Sequence, residues 1–199
     1  MGSIKKDKKN KSPINIVLDL DNTLIYSFEA HEKIPKFILD KKVRTHKLKN
    51  DKGDVEFLVS ERPYLKIFLT WLFKYFTVSV WSAGSPDYVK FIVKHCLQTG
   101  KREIKNVYDS ISCEKSTKKY NSIKDLRFLF SKRGLNYKAT NTIIIDDLPE
   151  VAKTNPDNII NIKKYTAKSS EIGDHELLRV REYLKQIRKD YNETGKINL

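Results

Sequence analysis

Asp19 and Asp21 lie in the segment Asp19-Leu20-Asp21-Asn22-Thr23, at the end of the apolar run that begins at Ile14. A second acidic pair, Asp146-Asp147, directly follows Thr142-Ile143-Ile144-Ile145. A third apolar run, Phe76 to Trp81, ends in Ser82. Carboxylates gathered at the tips of neighbouring strands repel one another, and like charges a few Å apart do not all stay ionised cheaply. A hard dication bound by oxygen ligands relieves that repulsion, and Mg²⁺ is the natural candidate. Such a site attracts phosphate oxygens and neutralises charge during phosphoryl transfer. One carboxylate can then attack phosphorus and form an aspartyl-phosphate. A lysine and a hydroxyl would hold the remaining phosphate oxygens. A lone aspartate in such a place more often caps a turn or a helix. Asp-x-Asp-x-Thr after one buried strand and Asp-Asp after another outweigh that explanation.

The elements that must position these groups follow from pattern. Ile14–Leu20, Phe76–Trp81 and Thr142–Ile145 read as buried strands, because they are short, apolar and rich in β-branched residues. Ile159–Ile162 is a fourth candidate strand and Val107-Tyr108 a short fifth. Within residues 33–60, Phe37-Ile38-Leu39 and Val55–Val59 look β-like, and Asp51-Lys52-Gly53-Asp54 reads as a hairpin turn. Arg62-Pro63 opens a helical pattern carrying Leu65, Phe68, Leu69, Leu72 and Phe73 on one face. A second helix is expected from Ser85-Pro86 to about Cys96, and a third from about Asp125 to Arg133, closed by Gly134. A long amphipathic helix is expected from Asp174 to about Tyr191. Residues 100–122 are mixed and mostly polar. Buried strands alternating with helices predict an α/β fold with a parallel sheet covered on both faces. Ligands of such sheets bind beyond the carboxyl ends of the strands, where the polar residues converge here.

The motifs resemble those of the haloacid dehalogenase superfamily. Within it, the chain is similar to the small phosphatases that act on the C-terminal domain of RNA polymerase II. Asp19-Leu20-Asp21-Asn22-Thr23-Leu24 resembles the first motif, and Val80-Trp81-Ser82-Ala83-Gly84 the second. Lys124-Asp125-Leu126 resembles the third, and Ile143–Pro149 the fourth. The likeness covers about residues 14–190. It implies a Rossmann-like doubly wound sheet with a small β-hairpin insert at about residues 28–60. It also implies an Mg²⁺-dependent phosphatase acting on phosphoserine or phosphothreonine in proteins. Asp19 would be the nucleophile and a metal ligand. Asp21 would serve as proton donor and then base, with its backbone carbonyl on the metal. Thr23 would orient the Asp19 loop, and Ser82 and Lys124 would bind the transferred phosphoryl group. Asp147 would ligate Mg²⁺ directly, while Asp146 would anchor Lys124 or a metal-bound water. The insert is lysine-rich and departs from the family pattern, and Val80-Trp81 stands where an apolar-Phe or apolar-Tyr pair is commoner.

Composition bounds the remainder. A chain of 199 residues suits one domain with a full core, expected at residues 13–192 between a basic tail (1–12) and a short tail (193–199). The net charge of +14 favours phosphopeptides or nucleic acid as partners, although a solvated lysine-biased surface explains it equally. A phosphatase on nucleic-acid ends and a non-catalytic binding module are therefore the competing functions. The module would be expected to lack Asp19, Asp21 or Lys124, and all are present. No apolar run is long enough for a bilayer, so no membrane partner is expected. An intracellular monomer, nuclear or cytoplasmic, is the expected setting. Cys96 and Cys113 are expected to be free thiols with no zinc site, since no Cys-x-x-Cys or histidine cluster accompanies them. His31, His46 and His175 show no metal-ligand spacing, and His95 falls in a helical apolar pattern. Trp71 and Phe73 read as helix packing, Trp81 as either core or site, and Lys118, Lys119 and Lys132 as either solvated or lining an approach to the site.

Overall fold

The computed structural model describes residues 12–40, 43–100, 102–168, 170 and 172–199. In chain order, β1 (Asn15–Leu18) is followed by β2 (Ile25–Glu29), α1 (Lys36–Leu39), β3 (Thr45–Lys49) and β4 (Val55–Glu61). Then come α2 (Leu65–Tyr75), β5 (Thr77–Trp81), α3 (Pro86–Ile92) and a π-helix (Val93–Leu97). The remainder comprises β6 (Val107–Tyr108), α4 (Ser110–Tyr120), α5 (Arg127–Phe130), β7 (Thr142–Asp146), α6 (Pro149–Thr154), β8 (Ile159–Asn161) and α7 (Glu176–Thr194).

The main sheet has strand order β6-β5-β1-β7-β8, and its neighbours pair in parallel. Side chains alternate between its faces, as the period of a strand requires. Ile16, Leu18, Val78, Val80, Ile143 and Ile145 join one core with Phe68 and Leu72 of α2 and Leu177 and Leu184 of α7. Val17, Trp81 and Ile144 join another with Cys113 of α4, Leu129 of α5 and Val151 of α6. The sheet is thus covered on both faces, which is why its central strands are buried on both sides, and a polar side chain among them is satisfied internally, as Ser79 is by the Tyr137 hydroxyl at 2.6 Å. β1 lies at the centre, where the chain order reverses, so the segment leaving it enters a crevice. A smaller antiparallel sheet, β2-β4-β3, forms between β1 and α2. Its β3–β4 turn places Gly53 at φ 87°, a left-handed conformation that suits glycine.

Several elements differ from expectation. Phe37-Ile38-Leu39 is the short helix α1, not strand, and Phe37 and Ile38 are buried in a small core with Phe28 and Tyr165. The polar stretch at 100–122 contains α4, capped by the Asp109 side chain, which accepts from the Ile111 and Ser112 N–H groups. Its buried residues are Cys113 and Ser116, too thin a stripe to show a helical period. The helix expected from Asp125 to Arg133 is reduced to α5. The expected C-terminal tail is packed: α7 continues to Thr194, and Ile197 is buried with its N–H on the Thr140 carbonyl at 2.9 Å. Of the expected N-terminal tail, residues 1–11 lie outside the described residues, and Ser12 is tied to the Tyr75 carbonyl at 2.8 Å. Trp81 is fully buried against Tyr108 and Phe128, a core residue and not a pocket wall. Among the described residues no helix is long and apolar enough to cross a membrane.

Ile144 tests the second core. Ile144→Ala removes buried methyl groups from a side chain with no exposed surface. It should cost about 2–5 kcal/mol in urea denaturation, and a loss below about 1 kcal/mol would show that the helices over this face pack loosely.

Candidate active site

Asp19 follows β1 and is still held in the ladder, with its N–H on the Ile145 carbonyl at 3.0 Å. The chain then folds tightly back. The Leu24 and Ile25 N–H groups both bond to the Leu20 carbonyl, at 2.8 and 3.1 Å, and Asn22 adopts φ 62°. Asparagine tolerates that left-handed conformation better than most side chains. Thr23 is buried within this turn, and its hydroxyl donates to Asp147 Oδ1 at 3.2 Å. The Thr23 carbonyl accepts from Arg62 Nη1 at 2.9 Å. Arg62 is itself buried and makes a two-pronged contact with Asp174, Nε to Oδ1 at 3.2 Å and Nη2 to Oδ2 at 2.9 Å. A pair 112 residues apart therefore braces the turn from behind.

Lys124 reaches the same place from the segment after α4. Its side chain is 1% exposed, and its ammonium donates to Asp19 Oδ1 at 2.5 Å and to Asp146 Oδ2 at 2.7 Å. Asn155, at the end of α6, pins the Lys124 backbone. Its Nδ2 donates to the Lys124 carbonyl at 2.8 Å, and its Oδ1 accepts from the Leu126 N–H at 2.9 Å. Burial alone would drive the proton off Lys124, but the Asp19 and Asp146 carboxylates outweigh it and hold the group protonated. Burial, reinforced by the Asp19 charge, pushes the Asp146 carboxyl upward. Asp147 is raised for the same two reasons, partly offset by the Thr23 hydrogen bond. Ligand oxygens of Asp19, Asp146 and Asp147 lie within 4.8 Å of one another.

This donor set fits a dication. Three carboxylates against one ammonium leave an excess of two negative charges when all are ionised. Asp146 spends both oxygens, on Lys124 and on the Leu148 N–H at 2.9 Å. Among the hydrogen bonds of the described residues, Asp19 Oδ2 and Asp147 Oδ2 remain for a hard cation that prefers oxygen.

Asp21 faces the other way. It accepts a short hydrogen bond from the Tyr88 hydroxyl, and Tyr88 in turn takes one from Ser27 at 2.5 Å. Burial, with Asp19 beside it, raises the Asp21 carboxyl to about 6, against the pull of the Tyr88 hydroxyl. A carboxyl held there can give and take a proton near neutral pH. Ser82 follows β5, and its hydroxyl accepts from the Gly84 N–H at 3.0 Å. A Cβ at Gly84 would stand 2.6 Å from the Tyr88 ring, so glycine is what lets Tyr88 reach Asp21.

Asp21, Tyr88 and Gly84 open onto a cleft of about 860 Å³, whose other wall includes Tyr26, Phe57 and Lys164. Motif reading did not single out Tyr88, Ser27, Asn155 or Lys164. An Arg62-Asp174 bond and an Asn155 clamp have no short-range spacing to betray them. Lys132 lies over the Phe128 ring at 4.3 Å rather than in this cleft, and Lys118 lines a separate depression beside Cys113.

The family model described as NLI interacting factor-like phosphatase matches residues 14–194. The chain belongs to that family. Within the NLI interacting factor-like phosphatases it is 34% identical over 177 residues to CTD phosphatase-like protein 355R of Invertebrate iridescent virus 6, covering 85% of this chain and 96% of that protein. It is 28% identical over 166 residues to CTD nuclear envelope phosphatase 1B of Danio rerio, covering 78% and 60%. Among solved structures it is similar to the fission yeast RNA polymerase II CTD phosphatase Fcp1, with TM-score 0.66 and 20% identity over 91% of this chain. That likeness is one of fold, and this chain spans 64% of the Fcp1 chain. The doubly wound sheet and the resemblance read from the motifs agree with these matches. The chain is accordingly a phosphoric monoester hydrolase of the protein-phosphatase type.

Arg62 supplies the test of the brace behind the turn. Removing one partner of a buried ion pair strands the other, so Arg62→Ala should cost about 3–5 kcal/mol in equilibrium denaturation. Were the loss under about 1 kcal/mol, the Asp174 contact would not be what holds the turn.

Proposed function

We propose that this phosphatase works through an aspartyl-phosphate on Asp19, with Mg²⁺, on phosphoserine or phosphothreonine in an extended protein segment. The observation that carries the proposal is the buried Asp19–Lys124–Asp146 contact with Asp147 alongside, at the carboxyl ends of the central strands. Asp19 and Asp147, with the Asp21 backbone carbonyl, would hold the Mg²⁺. When bound, it would neutralise charge on the phosphoryl oxygens.

The chain's own groups divide the work. The Asp19 carboxylate attacks phosphorus while the bond to the leaving oxygen breaks, and Asp21 delivers its proton to that oxygen. Asp21, now ionised, takes a proton from water as the water attacks the phosphorus. Inorganic phosphate leaves and Asp19 is restored. Lys124 and the Ser82 hydroxyl hold the phosphoryl oxygens, Thr23 keeps the loop in register, and Asp146 holds Lys124. Tyr88 and Ser27 keep the Asp21 carboxyl aimed along the cleft.

Aromatic side chains along the cleft suit an extended peptide, and the charged lining of the cleft is mixed, with Glu29, Glu32 and Glu56 beside Lys164 and Lys168. Relatives named for CTD phosphatases point to RNA polymerase II tail-like peptides. They also favour an intracellular setting, nuclear or cytoplasmic. The charge of +14 keeps phosphorylated nucleic-acid ends as a second substrate class.

Turnover of an aryl phosphate should need Mg²⁺, stop with chelator, and fall at least about 10³-fold in Asp19→Asn. An active Asp19→Asn enzyme would sink the mechanism. Phosphopeptides should be processed in preference to phosphorylated oligonucleotides, and the reverse ranking would move the chain to the second class. Asp21→Asn separates the two half-reactions. Losing a general acid–base costs about 10²–10⁴-fold, but an aryl oxide leaves without help. The variant should therefore release about one equivalent of aryl product in a burst and then stall with Asp19 phosphorylated. A linear, burst-free trace with no phosphorylated Asp19 would remove Asp21 from the second step.

A further inference from the structure

A second cluster of metal-ligand side chains lies away from the Asp19 turn. His46 of β3, Glu61 at the end of β4 and Cys96 of the π-helix place ligand atoms within 4.8 Å of one another. His46 Nε2 stands 2.7 Å from Glu61 Oε1, with side-chain exposures of 11% and 7%, and Cys96 is 3% exposed. No short-range spacing links these three residues in the sequence. The fold does so because the hairpin lays β3 and β4 against the helix after β5.

We propose that His46, Glu61 and Cys96 form a site for a thiophilic divalent ion, Zn²⁺ by its donor set, that clamps the β3–β4 hairpin to the π-helix. Nitrogen, oxygen and sulfur ligands from three elements are the mixture Zn²⁺ accepts in tetrahedral sites, and three protein ligands leave a fourth position for water. Bonds of about 2.0–2.3 Å put tetrahedral ligand atoms roughly 3.3–3.8 Å apart. His46 Nε2 and Glu61 Oε1 are 2.7 Å apart and the ligand atoms of all three residues lie within 4.8 Å of one another, so modest side-chain movements reach that spacing. Charge balances as well: on binding, the Cys96 thiol gives its proton to solvent, and thiolate plus carboxylate match the dication. His46 binds through the Nε2 lone pair as neutral imidazole. Two cations are near: Arg44 Nε is 3.6 Å from Glu61 Oε1, but its side chain is 54% exposed and can turn to water, while Arg102 feels the Glu61 charge and is tied to the Lys66 carbonyl and the Thr70 hydroxyl. His95 lies beside His46 with ring centroids 6.4 Å apart and stacks on Phe91.

The backbone at Cys96 is a second, independent observation. The Gln98 N–H bonds to the Val93 carbonyl at 2.7 Å, five residues back, so the helix carries one extra residue in this turn. Such π-turns are rare and cluster at functional sites. Here the extra residue falls in the turn that carries Cys96. Without a metal, burial and the nearby Glu61 keep this thiol protonated far above its usual range, and a bound dication reverses that preference. The clamp would also steady the cleft. Phe57 sits on β4 and Tyr88 on the helix that runs into the π-turn, and the two rings touch edge to face.

The test uses the full chain, stripped of metal and kept reduced. Titration with Co²⁺ should produce a thiolate-to-metal charge-transfer absorption in the near ultraviolet that saturates at about one equivalent. Cys113→Ser should keep this band, whereas Cys96→Ser and His46→Gln should lose it. With Mg²⁺ held saturating at the aspartate site, Zn²⁺ at about 100 times its Kd should raise the melting temperature by about a further 5–10 °C, and this further rise should vanish in His46→Gln. His46 lies on a half-buried strand and is replaceable without opening the core, so a folding failure in Cys96→Ser leaves His46→Gln to decide. Mg²⁺ at the aspartate site gives no such band, so the outcome is independent of the catalytic proposal. A wild-type chain with no thiolate band, a band that depends on Cys113, or an equal Zn²⁺ rise in His46→Gln would overturn the site.

Discussion

The ammonium of Lys124 between the carboxylates of Asp19 and Asp146 is the interaction on which the arrangement depends. An isolated ammonium on a side chain with 1% exposure would be costly to bury, and so would either carboxylate. Held together they are tolerated, and much of the surrounding fold exists to hold them. β1 and β7 are adjacent parallel strands, so Asp19 and Asp146 leave the sheet side by side. Asn155 fixes the Lys124 backbone from α6, the helix that follows β7. The carboxylate excess that remains is what makes the site attractive to a dication and, with it, to phosphate.

The division between Asp146 and Asp147 comes from the same geometry. They are consecutive on an extended backbone, so their side chains point to opposite sides. Asp146 is fully buried and turned towards Lys124, while Asp147 is half-buried and turned towards Thr23. Adjacent acids at a strand end thus acquire different partners without any special local sequence. Arg62 closes the circuit by tying the Thr23 carbonyl to Asp174, at the entry to α7. The turn is therefore fixed from the sheet, from α2's leading edge and from the last helix at once.

What was legible in the sequence was local. The strands that carry Asp19, Ser82 and Asp146 announce themselves as apolar β-branched runs, because both of their faces are buried. Helices α2 and α7 show their period because each packs one broad apolar face on the sheet. Helix α4 was hidden because its buried side is Cys113 and Ser116, and what starts it is the Asp109 cap rather than a stripe. The strand-like look of Phe37-Ile38-Leu39 misled because consecutive apolar residues occur in a short buried helix as readily as in a strand. The site was legible where a motif sits on one strand end and illegible where it depends on distant partners. Asn155, Tyr88 and Arg62-Asp174 act across tens of residues, as do His46, Glu61 and Cys96. Only tertiary contact brings them into register.

Tyr88 shows how the small sheet enters the chemistry of the large one. Its single hydroxyl proton goes to Asp21, so the contact with Ser27 must be completed by the serine's proton. The chain Ser27–Tyr88–Asp21 therefore runs in one direction, from β2 to the turn after β1. Burial and the Asp21 charge keep the tyrosine from releasing its own proton, which holds it as a donor. Gly84 permits the approach, since any Cβ there would meet the ring. Phe57 packs on the other side of that ring from β4. A ligand lying in the cleft touches Tyr26, Phe57 and Tyr88, and hence the group that sets the direction of the Asp21 carboxyl. Under the proposed mechanism, recognition along the insert and proton delivery by Asp21 would share one side chain, and a peptide that displaced Tyr88 would also re-aim the acid. Such coupling would give the small sheet a role in rate as well as in affinity.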